Sequence, residues 1–167
     1  MGLRTEVQAL LQNAGTGLKV NRAAALDAVG PTTIFTITNG FVLVTGLVGV
    51  VTVLRAGALA TTLFTHSIGP TNLCVATNTI ASPVGTVLGL TGNVLDNLVV
   101  SVGTGVLNTA PPLQGTMMGS ANPGAPTQQF GLIMGLGTIR VTISVVTAGQ
   151  TRYILTYIPL DAGAVVT

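Results

Sequence analysis

Tryptophan is absent from this chain of 167 residues, and histidine and cysteine each occur once. A single cysteine permits no internal disulfide. Cys74, set between Leu73 and Val75, reads as a small core hydrophobe rather than a nucleophile. His66 has no second histidine and no carboxylate near it in sequence. It is expected to be a surface or loop residue, neither a metal ligand nor a catalytic base. With only Tyr153 and Tyr157 beside the missing tryptophan, little aromatic surface is available for stacking sugar rings.

Charge is scarce too. Asp, Glu, Lys and Arg make up 6% of the residues, against about 25% in average proteins. Six basic and four acidic residues leave a net +2, too little to neutralise phosphates, so no nucleic-acid partner is expected. The carboxylates Glu6, Asp27, Asp96 and Asp161 are far apart in sequence, and no acid–base pair suggests itself. No glycine-rich phosphate loop or ligand cluster is visible, so neither an enzyme nor a bound cofactor or metal is expected. The N-terminal stretch lacks a basic region leading into an apolar one, so no signal peptide is expected. Met1-Gly2 is followed by Glu6 where myristoylation requires Ser or Thr. The longest apolar run, Phe41–Leu54, is broken by Thr45, Gly46, Gly49 and Thr52. It falls short of the roughly 20 residues of a spanning helix, and no membrane is expected.

What is plentiful is β-former. Hydrophobic residues are 48% of the chain, and Thr, Val, Ile and Gly set its texture. The central stretch is Thr33–Leu54, two apolar β runs joined by Asn39-Gly40. That dipeptide is the strongest short hairpin signal, because both turn positions need positive φ. A two-residue hairpin would set Thr38 opposite Phe41 and Ile37 opposite Val42. In the second run, alternation places Phe41, Leu43, Leu47, Val51 and Val53 on one face, and Val42, Val44, Val48, Val50 and Leu54 on the other. A strand apolar on both faces must be covered twice: once by its own core, once by an arm, a second sheet or a neighbouring subunit.

Five of the ten charged residues (Arg4, Glu6, Lys19, Arg22, Asp27) precede Gly30-Pro31. Residues 1–30 are therefore expected to form an N-terminal arm, and 31–167 a β-sandwich domain. Within the arm, Arg4–Gln12 sets Val7, Leu10 and Leu11 at helical spacing and stops at Asn13-Ala14-Gly15. Lys19–Ala28 reads as a short turn or an extended segment. Beyond the hairpin, strands are expected at Ala58–Ser67, Thr71–Ala76, Thr86–Leu90 and Leu98–Val102. Residues 108–129 hold four of the eight prolines and the pair Met117-Met118. They read as a long loop offering an adaptable apolar contact. Ile139–Val146 alternates cleanly, and Ala148-Gly149-Gln150 is expected to turn the chain back into Thr151–Ile158, bringing Arg140 near Arg152. Pro159 ends that strand.

Roughly eight or nine strands without helical crossovers indicate an all-β antiparallel sandwich or barrel. A single jelly roll is the first choice. An immunoglobulin-like sandwich is second, because its Cys–Trp–Cys pattern is missing.

The run TIFTITNGFVLVTGLVGVVT, with the closing GTIRVTISVVTAGQTRYILTYIPLDAGAVV, resembles small β-structured virion proteins of tailed bacteriophages. The resemblance covers Thr33–Thr52 and Gly137–Val166 and is one of pattern. It implies a capsid decoration or cement protein on the capsid exterior that binds the major capsid protein, commonly as a trimer at local three-fold positions. Low charge fits permanent contacts, which are more apolar than transient ones. Val7, Leu10, Leu11, Arg22, Val42, Val44, Val48, Met117 and Met118 are the expected interface residues. A tail or fibre component, a small jelly-roll coat protein, and a secreted module binding glycans or host surface are the alternatives.

Overall fold

In the computed structural model the described residues are 17–56, 61–68, 71–79, 81–91, 94–101, 131–145 and 148–167. The expected helix with Val7, Leu10 and Leu11, and the loop with Met117 and Met118, lie outside them.

The described residues form twelve strands, from β1 (Leu18–Leu26), β2 (Gly30–Thr38), β3 (Val42–Ala56) and β4 (Thr61–His66) to the two-residue β5 (Thr71–Asn72) and β6 (Thr77–Asn78). The next are β7 (Val87–Gly89), β8 (Val99–Ser101), β9 (Leu132–Met134), β10 (Gly137–Ile143), β11 (Ala148–Pro159) and β12 (Val165–Val166). They build two antiparallel sheets. Sheet I runs β1-β11-β3-β7-β8, with β9 also paired to β3; sheet II runs β12-β2-β10-β4-β5, with β6 paired to β4. The chain is thus an all-β sandwich. Leu18–Leu26, from the stretch read as an arm, is the edge strand of sheet I, paired to β11 from Leu18–Tyr157 to Leu26–Gln150.

Asn39 and Gly40 do take positive φ (61° and 134°). The expected hairpin does not form, because β2 lies in sheet II and β3 in sheet I. The turn is a corner between sheets: β10 takes the ladder of β2, and β11 that of β3. Asp161 holds the corner, its carboxylate accepting the Phe41 N–H at 2.7 Å, while Leu160 N–H donates to the Phe41 carbonyl at 2.9 Å. A side chain at residue 40 would collide with Asp161, which fixes glycine there. The second expected hairpin is also a crossing. β10 and β11 lie in opposite sheets, so Arg140 stands opposite Thr65 and Arg152 opposite Val50. The two arginines therefore sit on opposite outer faces.

Simple alternation also fails along β3. Tyr157 pairs with Val44 and Thr156 with Gly46, so Thr45 is an extra residue. Such a bulge reverses which parity faces inward. Val42 and Val44 face the core before it, and Leu47, Gly49 and Val51 after it. Further shifts between Thr151 and Ala148 leave Val53 and Leu54 exposed and turn Arg55 inward.

The core lies between the sheets. Phe35, Ile37, Phe64, Ile139, Val141 and Ile143 from sheet II meet Val44, Leu47, Tyr153, Leu155 and Tyr157 from sheet I. Phe64 and Tyr153 pack edge to face at 6.0 Å. Cys74 is buried there as expected, its sulfur accepting the Phe64 N–H at 3.4 Å; burial pushes the thiol pKa up. His66 departs from expectation. It is a strand residue, 9% exposed, and its Nε2 has no hydrogen-bond partner among the described residues. The period of two on β4 sets His66 on the same inward face as Thr62 and Phe64.

Candidate functional site

Two regions stand out from the core: a sealed polar cluster between the sheets, and the outer face of sheet I.

The cluster is centred on Arg55, only 1% exposed. Its Nε donates to Asp27 Oδ2 at 2.7 Å and its Nη2 to Oδ1 at 3.3 Å. This two-point contact suits the planar guanidinium. Nη1 reaches Thr62 at 2.8 Å and Thr79 at 3.4 Å; Nη2 reaches Thr151 at 2.9 Å and the Tyr153 hydroxyl at 3.3 Å. Thr151 in turn donates to Asp27 at 3.2 Å. Every guanidinium N–H thus has an acceptor, the condition under which a buried charge is tolerated. Burial chiefly pushes the Tyr153 pKa up to about 12, against an opposing pull from Arg55. Thr62 belongs to sheet II, and Thr151, Tyr153 and Arg55 to sheet I, so the cluster ties the layers together. Beside it, a cavity of about 20 Å³ borders Arg22, Asp27 and Tyr153, room for about one water. Arg55 and Asp27 are both shielded from solvent, so the cluster offers no substrate access and works as a structural clip. Sequence reading did not bring these residues together. The available signal was Arg55 itself, a lone charge ending a long apolar run, which had to find one of only four carboxylates.

The outer face of sheet I is the candidate interface. Register sets its side chains in rows across the strands. One row is Ile133, Leu43 and Ile158. Another is Gly89, Val48, Ile154 and Asn21. A third is Val87, Val50 and Arg152. The first row continues to the corner, where Phe41 is 54% exposed and Leu160 is also exposed; Ile133 is 69% exposed. No strand of this sheet carries a carboxylate, while Lys19 and Arg152 both stand exposed. The outer face of sheet II differs. Thr36 stands beside Thr138, Thr65 beside Arg140 and Asn72, Leu63 beside Thr142, and Thr61 beside Asn78.

Of the expected interface residues, Val48 lies on the outer face of sheet I and is partly buried. Val42 and Val44 are fully buried in the core, because the bulge at Thr45 sets them inward, and they offer nothing to a partner. Arg22 is half-buried and donates to the Ile34 carbonyl at 3.1 Å, tying β1 to sheet II. Val7, Leu10, Leu11, Met117 and Met118 are outside the described residues. Leu43, Val50, Ile133, Ile154 and Ile158, which complete the face, are not distinguished by sequence alone. Finding them requires the strand partners and the bulges.

Among the described residues no three His, Cys, Asp or Glu side chains come together as a metal site would require. Comparison with protein-family models, with curated proteins and with solved structures finds no match in any of the three.

Proposed function

We propose that this chain is a structural virion protein, a decoration or cement subunit that binds the capsid exterior and the major capsid protein as a homo-oligomer. The observation that carries this reading is the outer face of sheet I: three rows of aliphatic side chains on a sheet without a carboxylate. Contiguous exposed apolar surface of this kind marks interaction sites. Burying it releases about 25 cal/mol per Å², which favours a long-lived contact. A trimer at local three-fold positions is the assembly implied by the phage-protein resemblance of Thr33–Thr52 and Gly137–Val166.

The finer topology we propose is a single jelly roll. Supporting it, β1 to β4 alternate between the sheets, β11 lies between β1 and β3, and β10 between β2 and β4. Two Greek keys rolled together give this alternation, and viral capsid domains use it. Fold alone does not assign function, so the face and not the topology carries the proposal.

The test is copurification. Assembled particles should retain the chain at a fixed ratio to the coat protein through gradient sedimentation. A chain that stays at the top of the gradient contradicts the reading. Jelly rolls also serve as lectins, and the Thr- and Asn-rich face of sheet II would be the sugar-binding surface in that case. A glycan array read with the same protein should give no specific hits; saturable binding to one sugar class would favour that alternative.

A further inference from the structure

We propose that residues 1–16 of this chain fold back onto its own sheet I and cover the Ile133–Leu43–Ile158 row and the Phe41–Leu160 corner. The inference does not rest on the virion reading and leaves the Val48–Ile154 and Val50 rows free for a neighbour.

Where the chain enters the sheet is the first ground. Leu18 pairs with Tyr157, so Gly17 comes alongside Ile158; a side chain at residue 17 would touch the Tyr157 carbonyl and Ile158. Residues 1–16 therefore leave the fold at the very end of the sheet that carries the exposed row. A short tether holds them at millimolar effective concentration over it. Size is the second ground. From Ile158 through Leu43 to Ile133 is two inter-strand spacings, about 10 Å. Arg4–Gln12 as a helix is about 14 Å long, with Val7, Leu10 and Leu11 along one side. A single row is too small for a stable subunit contact, which needs about 800 Å² per partner, but it matches one short amphipathic helix. Charge is the third. This sheet face shows Lys19 and Arg152 and no carboxylate, and Glu6 supplies the missing sign.

Cysteine cross-linking in the full chain tests this. Leu10→Cys is paired with Ile133→Cys, an exposed position where the change is tolerated. The control pairs Leu10→Cys with Val53→Cys, near the opposite end of the same strand, roughly 30 Å from Leu43. Under mild oxidation at micromolar protein, the 10/133 pair should close within one chain about 100-fold faster than the control pair, at a rate independent of concentration. Equal rates for the two pairs, or covalent dimers whose yield rises with concentration, would overturn the proposal. A second readout uses the absence of tryptophan. Ile133→Trp gives a single fluorophore, whose emission should move to the red when residues 1–16 are deleted. Unchanged emission after that deletion contradicts the covering.

Discussion

The two outer faces of the sandwich are made by the same kind of strand and differ in one respect. Sheet II presents Thr36, Thr138, Thr65 and Thr142; sheet I presents Leu43, Val48, Val50, Ile154 and Ile158. Threonine and valine share the β-branched shape that favours the pleated backbone. They differ in the hydroxyl, which keeps a face wet without weakening the strand. The threonine face is thus built to stay in water, while the aliphatic face gains free energy only when something covers it. Two sheets of one chain, equally able to form, have been given different destinations.

That contrast exists only while the sheets stay stacked, so the largest effect comes from the clip between them. Asp27→Ala leaves the Arg55 charge buried and uncompensated. It should cost about 3–5 kcal/mol, read as a lower urea midpoint. Adding Arg55→Met should restore most of the loss, because an apolar replacement of both partners removes the unpaired charge. A single-variant cost below about 1 kcal/mol would mean the clip does not hold the layers.

The next effect breaks the contrast directly. Ile154→Asp places a carboxylate in the middle of the aliphatic face and should weaken self-association at least about tenfold, roughly 1.4 kcal/mol. Thr142→Asp on the other face should leave the association constant unchanged. Sedimentation of both variants at matched concentrations reads the difference, and equal effects would erase the distinction between the faces.

Alkaline titration gives a smaller signal, again from the clip. The folded protein holds Tyr153 neutral up to about pH 12, whereas the unfolded chain loses that proton near pH 10. Between these values the unfolded state binds fewer protons, so stability falls as pH rises. The contribution is fully present below pH 10 and is lost through about pH 12. In that window the folding constant should drop up to about tenfold per pH unit. Tyr153→Phe should remove this slope from the pH dependence of the urea midpoint. A slope that survives the substitution would assign it to another group.

Smallest of all is Thr142→Val, which gives the threonine face one aliphatic side chain. Exposed substitutions of this kind stay within about 0.5 kcal/mol, and the chain should show an unchanged melting midpoint and an unchanged mass. A gain in association from this one change would show that the faces lie close to a threshold.

Much of the fold was legible because β-formers and turn residues act locally. The Asn39-Gly40 turn, the strand at Ile139–Ile143 and the buried Cys74 all follow from neighbours in sequence. Pairing did not follow. A corner between sheets and a hairpin use the same two turn residues, and the choice is made by β10 and β11, about a hundred residues away in sequence. Bulges were equally hidden. Nothing near Thr45 marks it as an extra residue, yet it alone sends Val42 and Val44 to the core and Leu43 to the surface. The excess of apolar residues along Phe41–Leu54 was correctly visible as a total; which of them face outward depends on register. The Arg55–Asp27 pair, 28 residues apart, needed the sandwich to bring it together.

Sedimentation velocity of the 167-residue chain across micromolar concentrations tests most directly whether the aliphatic face of sheet I is buried between molecules. The expected result is one species at a whole-number multiple of 16.8 kDa, three copies for the proposed trimer. A stable 16.8 kDa monomer throughout that range would contradict it.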